Sequence, residues 1–236
     1  MATRGAPDRP IVVIGAGAAG TMAALFAADA GGAVLLLETT RDGGRKILIS
    51  GGGRCNVLPS RAQPSQFTTA SSPNTLRRML RSWPFDEQRR FFEDTLGIAL
   101  ALEPETGKLF PVSNRARAVR DTLYAAVRDR GARIRFESRV TELRPPSDDA
   151  SWRVRLAGES IEAAAVILAT GGLSVPNTGS DGAGLRFARR LGHTIHDTYP
   201  ALTPLTALPD TVVPDVGASE RSSLASRTEA RHAALA

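Results

Sequence analysis

The chain has a single cysteine, Cys55, which excludes an intrachain disulfide and a Cys-x-x-Cys redox pair. Its hydrophobic runs are short, and none approaches the roughly 20 apolar residues that a transmembrane helix needs. The first ten residues include no apolar segment of the kind that a signal peptide carries. We therefore expect a cytoplasmic protein with no membrane partner, whose redox chemistry, if any, depends on a cofactor.

Lysine is also scarce: Lys46 and Lys108 are the only two, so arginine supplies nearly all the positive charge behind the net charge of +6. The arginines are scattered among acidic residues and form no single basic stripe, which disfavours a nucleic-acid partner. The three histidines and the one cysteine show no close ligand spacing. No metal site is expected.

A glycine-rich turn follows the first apolar run of the sequence. Ile11–Ile14 is short and rich in β-branched residues, as expected for a strand buried on both faces of a parallel sheet. In the turn that follows, Gly15 permits a tight bend and Gly17 lets the backbone approach a pyrophosphate, while Gly20 allows close helix packing. A helix over about 18–30 would point its free N–H groups at the phosphates.

An acidic residue follows the second predicted strand, at the spacing that a dinucleotide site requires. The run from Ala33 to Leu37 is apolar, and Glu38 comes directly after it. A carboxylate there can accept hydrogen bonds from ribose hydroxyls, and it would repel a 2′-phosphate. The pattern predicts a site for FAD or NAD rather than NADP, although a glycine-rich turn that binds no ligand has the same local sequence.

The rest of the chain predicts an α/β fold with a Rossmann-like parallel sheet and a small antiparallel meander. A long glycine-rich loop over 39–64 indicates function. Leu76, Met79 and Leu80 are expected in the core, and Ser113 is expected to cap a helix. Predicted helices cover 74–82, 86–96, the stretch from Ser113 to Gly131, and 183–191. Predicted strands cover 134–136, 139–143, 152–156, 161–165, 164–169 and 192–195.

The segment Gly44–Asn56, with the sequence GRKILISGGGRCN, closely resembles the signature of a bacterial family of FAD-dependent oxidoreductases. The family includes aminoacetone-oxidase-like proteins and flavoproteins related to a bile-acid dehydrosteroid reductase. Further similar segments occur in the family's order, so the resemblance covers about residues 10–206. They are 108–113, 169–174 with Pro176 and 178–180, 191–194, and 200–205.

The resemblance implies a glutathione-reductase-type FAD domain, interrupted by an inserted substrate domain, that acts on a small molecule. Pyrophosphate would lie against Gly15, Gly17 and Gly20, ribose at Glu38, and adenine against the backbone of Val140. NADH or NADPH is an open candidate for the electron donor. The full set of expected cofactor-binding residues is Gly15, Ala16, Gly17, Ala18, Ala19, Gly20, Glu38, Thr39, Arg45, Lys46, Ser50, Gly51, Gly52, Gly53, Arg54, Cys55, Asn56, Val140, Ala169, Thr170 and Gly171.

Within this set, Ser50–Asn56 would approach the flavin, but two of its side chains have a second interpretation. Arg54 could place positive charge at the flavin edge, or it could pin the loop by hydrogen bonds. Cys55 could react, but a small residue that fits a tight loop is the favoured interpretation. No catalytic acid or base is identified.

The sequence departs from the family in two places. Asn56 is followed by Val-Leu-Pro where the family usually has Val-Thr-Asn, and the family's C-terminal return segment and most of its inserted domain are missing. We therefore expect an incomplete FAD domain over 8–206 that binds FAD weakly, and a divergent, disordered tail over 207–236. An inactive FAD-binding remnant and an NAD-dependent dehydrogenase are the alternatives, and the oligomeric state is left open.

Overall fold

The computed structural model describes residues 9–68, 71–146 and 151–200. The predicted tail over 207–236 and the last residues of the predicted FAD domain lie outside these ranges. The helices are α1 (Ala18–Asp29), α2 (Arg45–Ile49), α3 (Pro73–Ser82), α4 (Phe85–Arg90), α5 (Ala116–Asp129) and α6 (Ala183–Arg190). The strands are β1 (Ile11–Ile14), β2 (Val34–Leu37), β3 (Leu58–Pro59), β4 (Leu100–Glu103), β5 (Lys108–Pro111), β6 (Arg133–Arg135), β7 (Val140–Arg144), β8 (Trp152–Leu156), β9 (Ser160–Ala163) and β10 (Ala165–Leu168).

A four-stranded parallel sheet in the order β10-β1-β2-β6 forms the centre of the fold. From β1 the chain proceeds outward to β2 and β6, and it then returns to the other side of β1 as β10. The strand order therefore reverses between β1 and β10, which is where doubly wound sheets open a crevice for ligands. The sequence predicted β10 to be buried, but its residues are half-buried or exposed because β10 is an edge strand of this sheet.

Alternate residues of the parallel strands face two different layers. Val13 and Leu36 pack with the buried side chains of α1 and α5 on one face. Val12 and Leu37 pack on the other face with the meander and with Phe187 of α6. The meander is the predicted antiparallel sheet, in the order β7-β8-β9. The predicted α/β class, with a Rossmann-like sheet and a meander, is confirmed.

The long loop over 39–64 is more structured than the sequence indicated. It contains α2, a 3-10 turn at Ser50–Gly53, and β3, which joins β5 and β4 in a third, antiparallel sheet. Sequence analysis missed β4 because leucine, alanine and glutamate do not favour strands in isolation. The residues of the predicted strand over 192–195 adopt no strand.

Two other local predictions are wrong. The helix expected to be capped by Ser113 begins at Ala116, and its N-cap is Arg115. Met79, expected in a core, is 66% exposed, and α3 has no buried residue.

The chain divides into two compact units. The described part of the first covers 9–60, 85–146 and 151–198, and it includes all three sheets. The described part of the second covers 61–68, 71–84 and 199–200, and it includes α3 and a short 3-10 turn. Among the described residues, every helix is too short or too polar to cross a membrane.

Candidate cofactor site

A cleft of about 740 Å³ opens where β1, β2 and β10 end. Of the predicted site residues, twelve line it: Gly15, Gly17, Ala18, Ala19, Glu38, Thr39, Arg45, Lys46, Val140, Ala169, Thr170 and Gly171. Residues that sequence reasoning did not assign also line it, among them Gly44, Arg139, Thr178, Gly179, Ser180, Asp181 and the first turns of α6. The cleft therefore combines predicted residues from four parts of the chain, 15–19, 38–46, Val140 and 169–171, with the start of α6.

The N-terminus of α1 points at this cleft without a partner. Gly17 is the N-cap, no side chain caps the helix, and the first turn contains no acidic residue. Within the described residues, the N–H groups of Gly17, Ala18 and Ala19 donate to no protein acceptor. A Cβ on Gly17 would have nothing within 4 Å. Free N–H groups and open space over Gly17 fit a phosphate group of a nucleotide.

Gly15 and Gly20 lie where the backbones of the turn, of α1 and of the residues after β10 approach one another closely. Gly15 has a φ of 103°, and a Cβ there would lie 2.5 Å from the carbonyl oxygen of Ala169. A Cβ on Gly20 would overlap the carbonyl oxygen of Gly15. Both glycines therefore allow α1 and β10 to pack against the turn, and Gly20 lies outside the cleft lining.

Glu38 is 9% exposed and already has three donors. Its Oε2 accepts the N–H of Ala16 at 2.8 Å, and its Oε1 accepts the N–H and the hydroxyl of Thr40 at 2.8 and 2.6 Å. An ionised carboxylate has about four acceptor positions, so capacity for one further donor from the cleft is left. Besides its predicted contact with ribose, Glu38 fixes the glycine-rich turn, a function that sequence reasoning missed.

Ala16 is fully buried and its peptide groups are held on both sides. While its N–H donates to Glu38, its carbonyl oxygen accepts a hydrogen bond of 2.7 Å from the Tyr124 hydroxyl. Burial and, to a smaller extent, the charge of Glu38 raise the pKa of Tyr124, so this hydroxyl remains a neutral donor. Tyr124 lies on α5, and the helical pattern of that segment marks it only as a core residue.

The two cations of α2 reach the segment that follows β10. Arg45 donates to the carbonyl oxygen of Asn177 at 3.4 Å and pairs with Asp42 at 3.2 Å, a contact that lowers the pKa of Asp42. Lys46 donates to the hydroxyl of Ser174. Both cations line the cleft, so they add positive charge to it.

The α6 wall is held together by Asp181 and Thr170. Asp181 accepts the N–H of Ala183 at 2.9 Å and pairs with Arg139 at 3.1 Å. Partial burial raises the pKa of Asp181, but the N–H of Ala183 and the neighbouring guanidinium groups outweigh it, so the pKa lies below its ordinary value. The hydroxyl of Thr170 accepts the N–H of Gly184 at 3.1 Å. The predicted second motif therefore also anchors α6.

The predicted residues Ser50, Gly51, Gly52, Gly53, Arg54, Cys55 and Asn56 do not line the cleft. Arg54 donates to the carbonyl oxygen of Gly51 at 3.3 Å and to Glu103 at 2.8 Å, and its guanidinium lies 4.1 Å from the Phe110 ring centroid. Arg54 thus pins the loop. Cys55 is 6% exposed, and burial raises the pKa of its thiol. The approach of this loop to a flavin stays a prediction.

A second concavity, of about 530 Å³, lies on the charged face of the meander. Arg144 and Arg155 both pair there with Glu142, and Arg135 pairs with Glu159. These mutual ion pairs are typical of a solvated surface. No helix N-terminus or glycine-rich turn is among the residues that line it. The first cleft is therefore the candidate site.

Comparison with known proteins is consistent with this geometry. A 3-dehydro-bile acid delta(4,6)-reductase of Clostridium scindens is 34% identical over 197 residues, which are 83% of this chain and 47% of the relative. A ribosomal RNA dihydrouridine synthase of Escherichia coli is 31% identical over 198 residues, 83% of this chain and 47% of the relative. The chain thus spans about half the length of the curated relatives it matches.

A solved structure shows the same fold. The 3-ketosteroid-delta4-(5alpha)-dehydrogenase of Rhodococcus jostii RHA1 superposes with a TM-score of 0.56 at 17% identity, and the match covers 80% of this chain and 55% of that one. The family model of the HI0933-like protein Rossmann domain matches residues 9–227. The predicted resemblance to a family of FAD-dependent oxidoreductases is confirmed: the chain belongs to the HI0933-like Rossmann-domain family.

Proposed function

We propose that the cleft binds FAD with its pyrophosphate at the N-terminus of α1. The N–H groups of Gly17, Ala18 and Ala19 carry this proposal because, within the described residues, they donate to no protein acceptor and belong to a cleft that Arg45 and Lys46 also line. A helix N-terminus and two cations together favour a doubly charged pyrophosphate. The adenosine half would then lie between Glu38 and Val140, the predicted ribose and adenine contacts, both of which line the cleft.

In this proposal the flavin half would lie against Ala169, Thr170 and Gly171 and against the loop over 50–56. When bound, reduced FAD supplies a hydride equivalent at its ring nitrogen N5. Ala169, Thr170 and Gly171 line the cleft next to the predicted pyrophosphate position, and they would orient the cofactor as it leaves α1. Arg54 keeps the 50–56 loop in one conformation through Glu103 and Phe110.

The two named relatives suggest a substrate class for the whole protein. A delta(4,6)-reductase of a 3-dehydro-bile acid and a dihydrouridine synthase both saturate a carbon–carbon double bond conjugated to a carbonyl group. We infer the same reaction type here, with NADH or NADPH as electron donor. One relative is named for a bile acid and the other for ribosomal RNA, and we propose a small molecule as substrate because the arginines of this chain form no single basic stripe. Hydride would add to the carbon β to the carbonyl, and a proton would add to the α carbon.

Isothermal titration of the purified chain tests the cofactor. FAD should bind at one site per chain, while FMN, which lacks the adenosine and the second phosphate, should bind at least tenfold more weakly. NAD serves as the competing ligand, because an NAD-dependent dehydrogenase would prefer it to FAD. Tighter binding of NAD, or equal binding of FMN and FAD, would contradict the proposal. Oxidation of NADH or NADPH with a conjugated enone as acceptor then tests the reaction type.

A further inference from the structure

One buried hydroxyl outside the cleft is bonded directly to the glycine-rich turn. Tyr124 lies on α5, is 4% exposed, and does not line the cleft. Its hydroxyl nevertheless donates at 2.7 Å to the carbonyl oxygen of Ala16, a residue 108 positions earlier in the chain. The ring packs beside Phe136, with the two centroids 5.8 Å apart. The contact is therefore a fixed tertiary hydrogen bond between α5 and the turn.

The direction of one peptide plane connects this bond to the cleft. The described residues contain no cis peptide bond, so the carbonyl oxygen of Ala16 and the N–H of Gly17 point in opposite directions across one planar amide. Holding the carbonyl oxygen on Tyr124 therefore directs the Gly17 N–H away from α5, towards the cleft that Gly17 lines. The preceding amide is fixed separately, because the Ala16 N–H donates to Glu38.

A second buried hydroxyl holds the next carbonyl oxygen of the turn, that of Gly17. The hydroxyl of Thr21 is fully buried and donates to the carbonyl oxygen of Gly17 at 2.8 Å. Carbonyl oxygens of the turn are thus held by buried hydroxyl groups, while the N–H groups of Gly17, Ala18 and Ala19 stay free within the described residues. This separation leaves donors, and not acceptors, to face an anion.

We propose that Tyr124 is a positioning residue that orients the Gly17 N–H for the cofactor pyrophosphate. The assignment rests on the proposed function of the cleft, but the orientation itself does not need a ligand. Without the phenol hydroxyl, the buried carbonyl oxygen of Ala16 loses its 2.7 Å hydrogen bond and keeps only the longer contact of 3.5 Å with the Thr21 hydroxyl, so the Ala16–Gly17 amide is held less firmly. A preorganised donor then has to be ordered on binding, which weakens affinity.

The test compares Tyr124→Phe with Tyr199→Phe, a change at the only other tyrosine, which is 80% exposed. Titrations use FAD, ADP and adenosine. For Tyr124→Phe we expect the dissociation constants of FAD and ADP to rise at least fivefold, and that of adenosine, which has no phosphate, to stay within twofold. Tyr199→Phe should match wild type for all three ligands. Unchanged ADP binding would overturn the proposal. Equal weakening of ADP and adenosine binding would also overturn it, because a general loss of structure affects every ligand.

A ligand-free measurement separates this proposal from the proposed function. In amide NMR spectra of the free chain, the Gly17 resonance should shift and its hydrogen exchange should change in Tyr124→Phe, while those of Gly31, at the far end of α1, should not. If wild-type protein binds neither FAD nor ADP, the proposed function fails. The resonance and exchange rate of the Gly17 amide would still test whether Tyr124 orients that N–H group. An unchanged Gly17 resonance and exchange rate would overturn the role of Tyr124.

Discussion

Two glycine-rich segments of the chain, 15–20 and 50–56, fold in opposite ways. The first leads into a twelve-residue helix whose free N–H groups open on the cleft. The second forms a kinked 3-10 turn in which Gly51 and Gly52 have φ values of 55° and 67°, and Arg54 ties it to Glu103 and Phe110. Within the described residues, the first segment leaves N–H donors unpaired at the cleft, whereas in the second the Arg54 guanidinium and the N–H groups of Arg54 and Cys55 donate within the protein.

The difference shows that glycine content alone does not define an anion site. A long helix after the turn leaves several N–H groups aligned and unpaired, and buried partners such as Glu38 and Tyr124 fix their direction. In the second segment the N–H groups of Arg54 and Cys55 donate back to the carbonyl oxygens of Gly51 and Ser50. A self-bonded turn has fewer donors left for a phosphate.

The largest expected effect is at Gly20, where the first segment packs most closely. In Gly20→Ala the new methyl group would overlap the carbonyl oxygen of Gly15, so the backbone must shift. We expect the free energy of unfolding in urea to fall by about 3 kcal/mol. Gly17→Ala is the control, because a Cβ there meets nothing within 4 Å and stability should hardly change. Equal stability of the two variants would contradict the close approach of Gly20 to the carbonyl oxygen of Gly15.

Glu38 should show the next largest effect, because it holds the first segment from β2. Glu38→Ala removes the acceptor of the buried Ala16 N–H, and we expect stability to fall by about 1–3 kcal/mol and FAD affinity to fall at least tenfold. Glu38→Gln keeps the side-chain size and one acceptor oxygen, so it should be less destabilised.

Ligand chemistry separates the two functions of Glu38. If the carboxylate also binds ribose, wild type should prefer ADP to 2′-deoxy-ADP, and Glu38→Gln should lose part of that preference. Equal binding of ADP and 2′-deoxy-ADP by wild type would show that Glu38 fixes the turn but does not bind the ribose 2′-hydroxyl.

Arg54 should give the smallest effect and sharpen the contrast between the segments. Arg54→Ala loses the stacking on Phe110, which is worth about 0.5–1 kcal/mol of stability. ADP binding should stay unchanged, because the loop does not line the cleft. Arg54→Lys is the matched control that keeps the charge without the planar guanidinium. A loss of FAD affinity with normal ADP affinity would show that the loop reaches the flavin, whereas a tenfold loss of ADP affinity would contradict the described cleft.

The parallel sheet and the first turn could be predicted from sequence because their determinants are local. β-branched runs, glycines at fixed spacing and an acid after the second strand each depend on few neighbouring residues. The role of Tyr124 could not be predicted, since it depends on a contact across 108 positions. Arg54 had two chemically reasonable partners, a flavin or its own loop, and its contacts with Glu103 of β4 and Phe110 of β5 could not be predicted because they depend on the pairing of distant segments.

Titration of Gly17→Val with FAD tests the central claim most directly. Gly17 has an ordinary φ of −76° and open space over its Cα, so the variant should keep its fold, with a loss of about 1 kcal/mol at the N-cap, while its side chain fills the proposed pyrophosphate position. Gly172→Val is the control, at a glycine with equally open space that does not line the cleft. We predict that Gly17→Val weakens FAD binding on the order of 100-fold, about 2.7 kcal/mol, and that Gly172→Val does not. Equal FAD affinity in wild type and Gly17→Val would contradict the account.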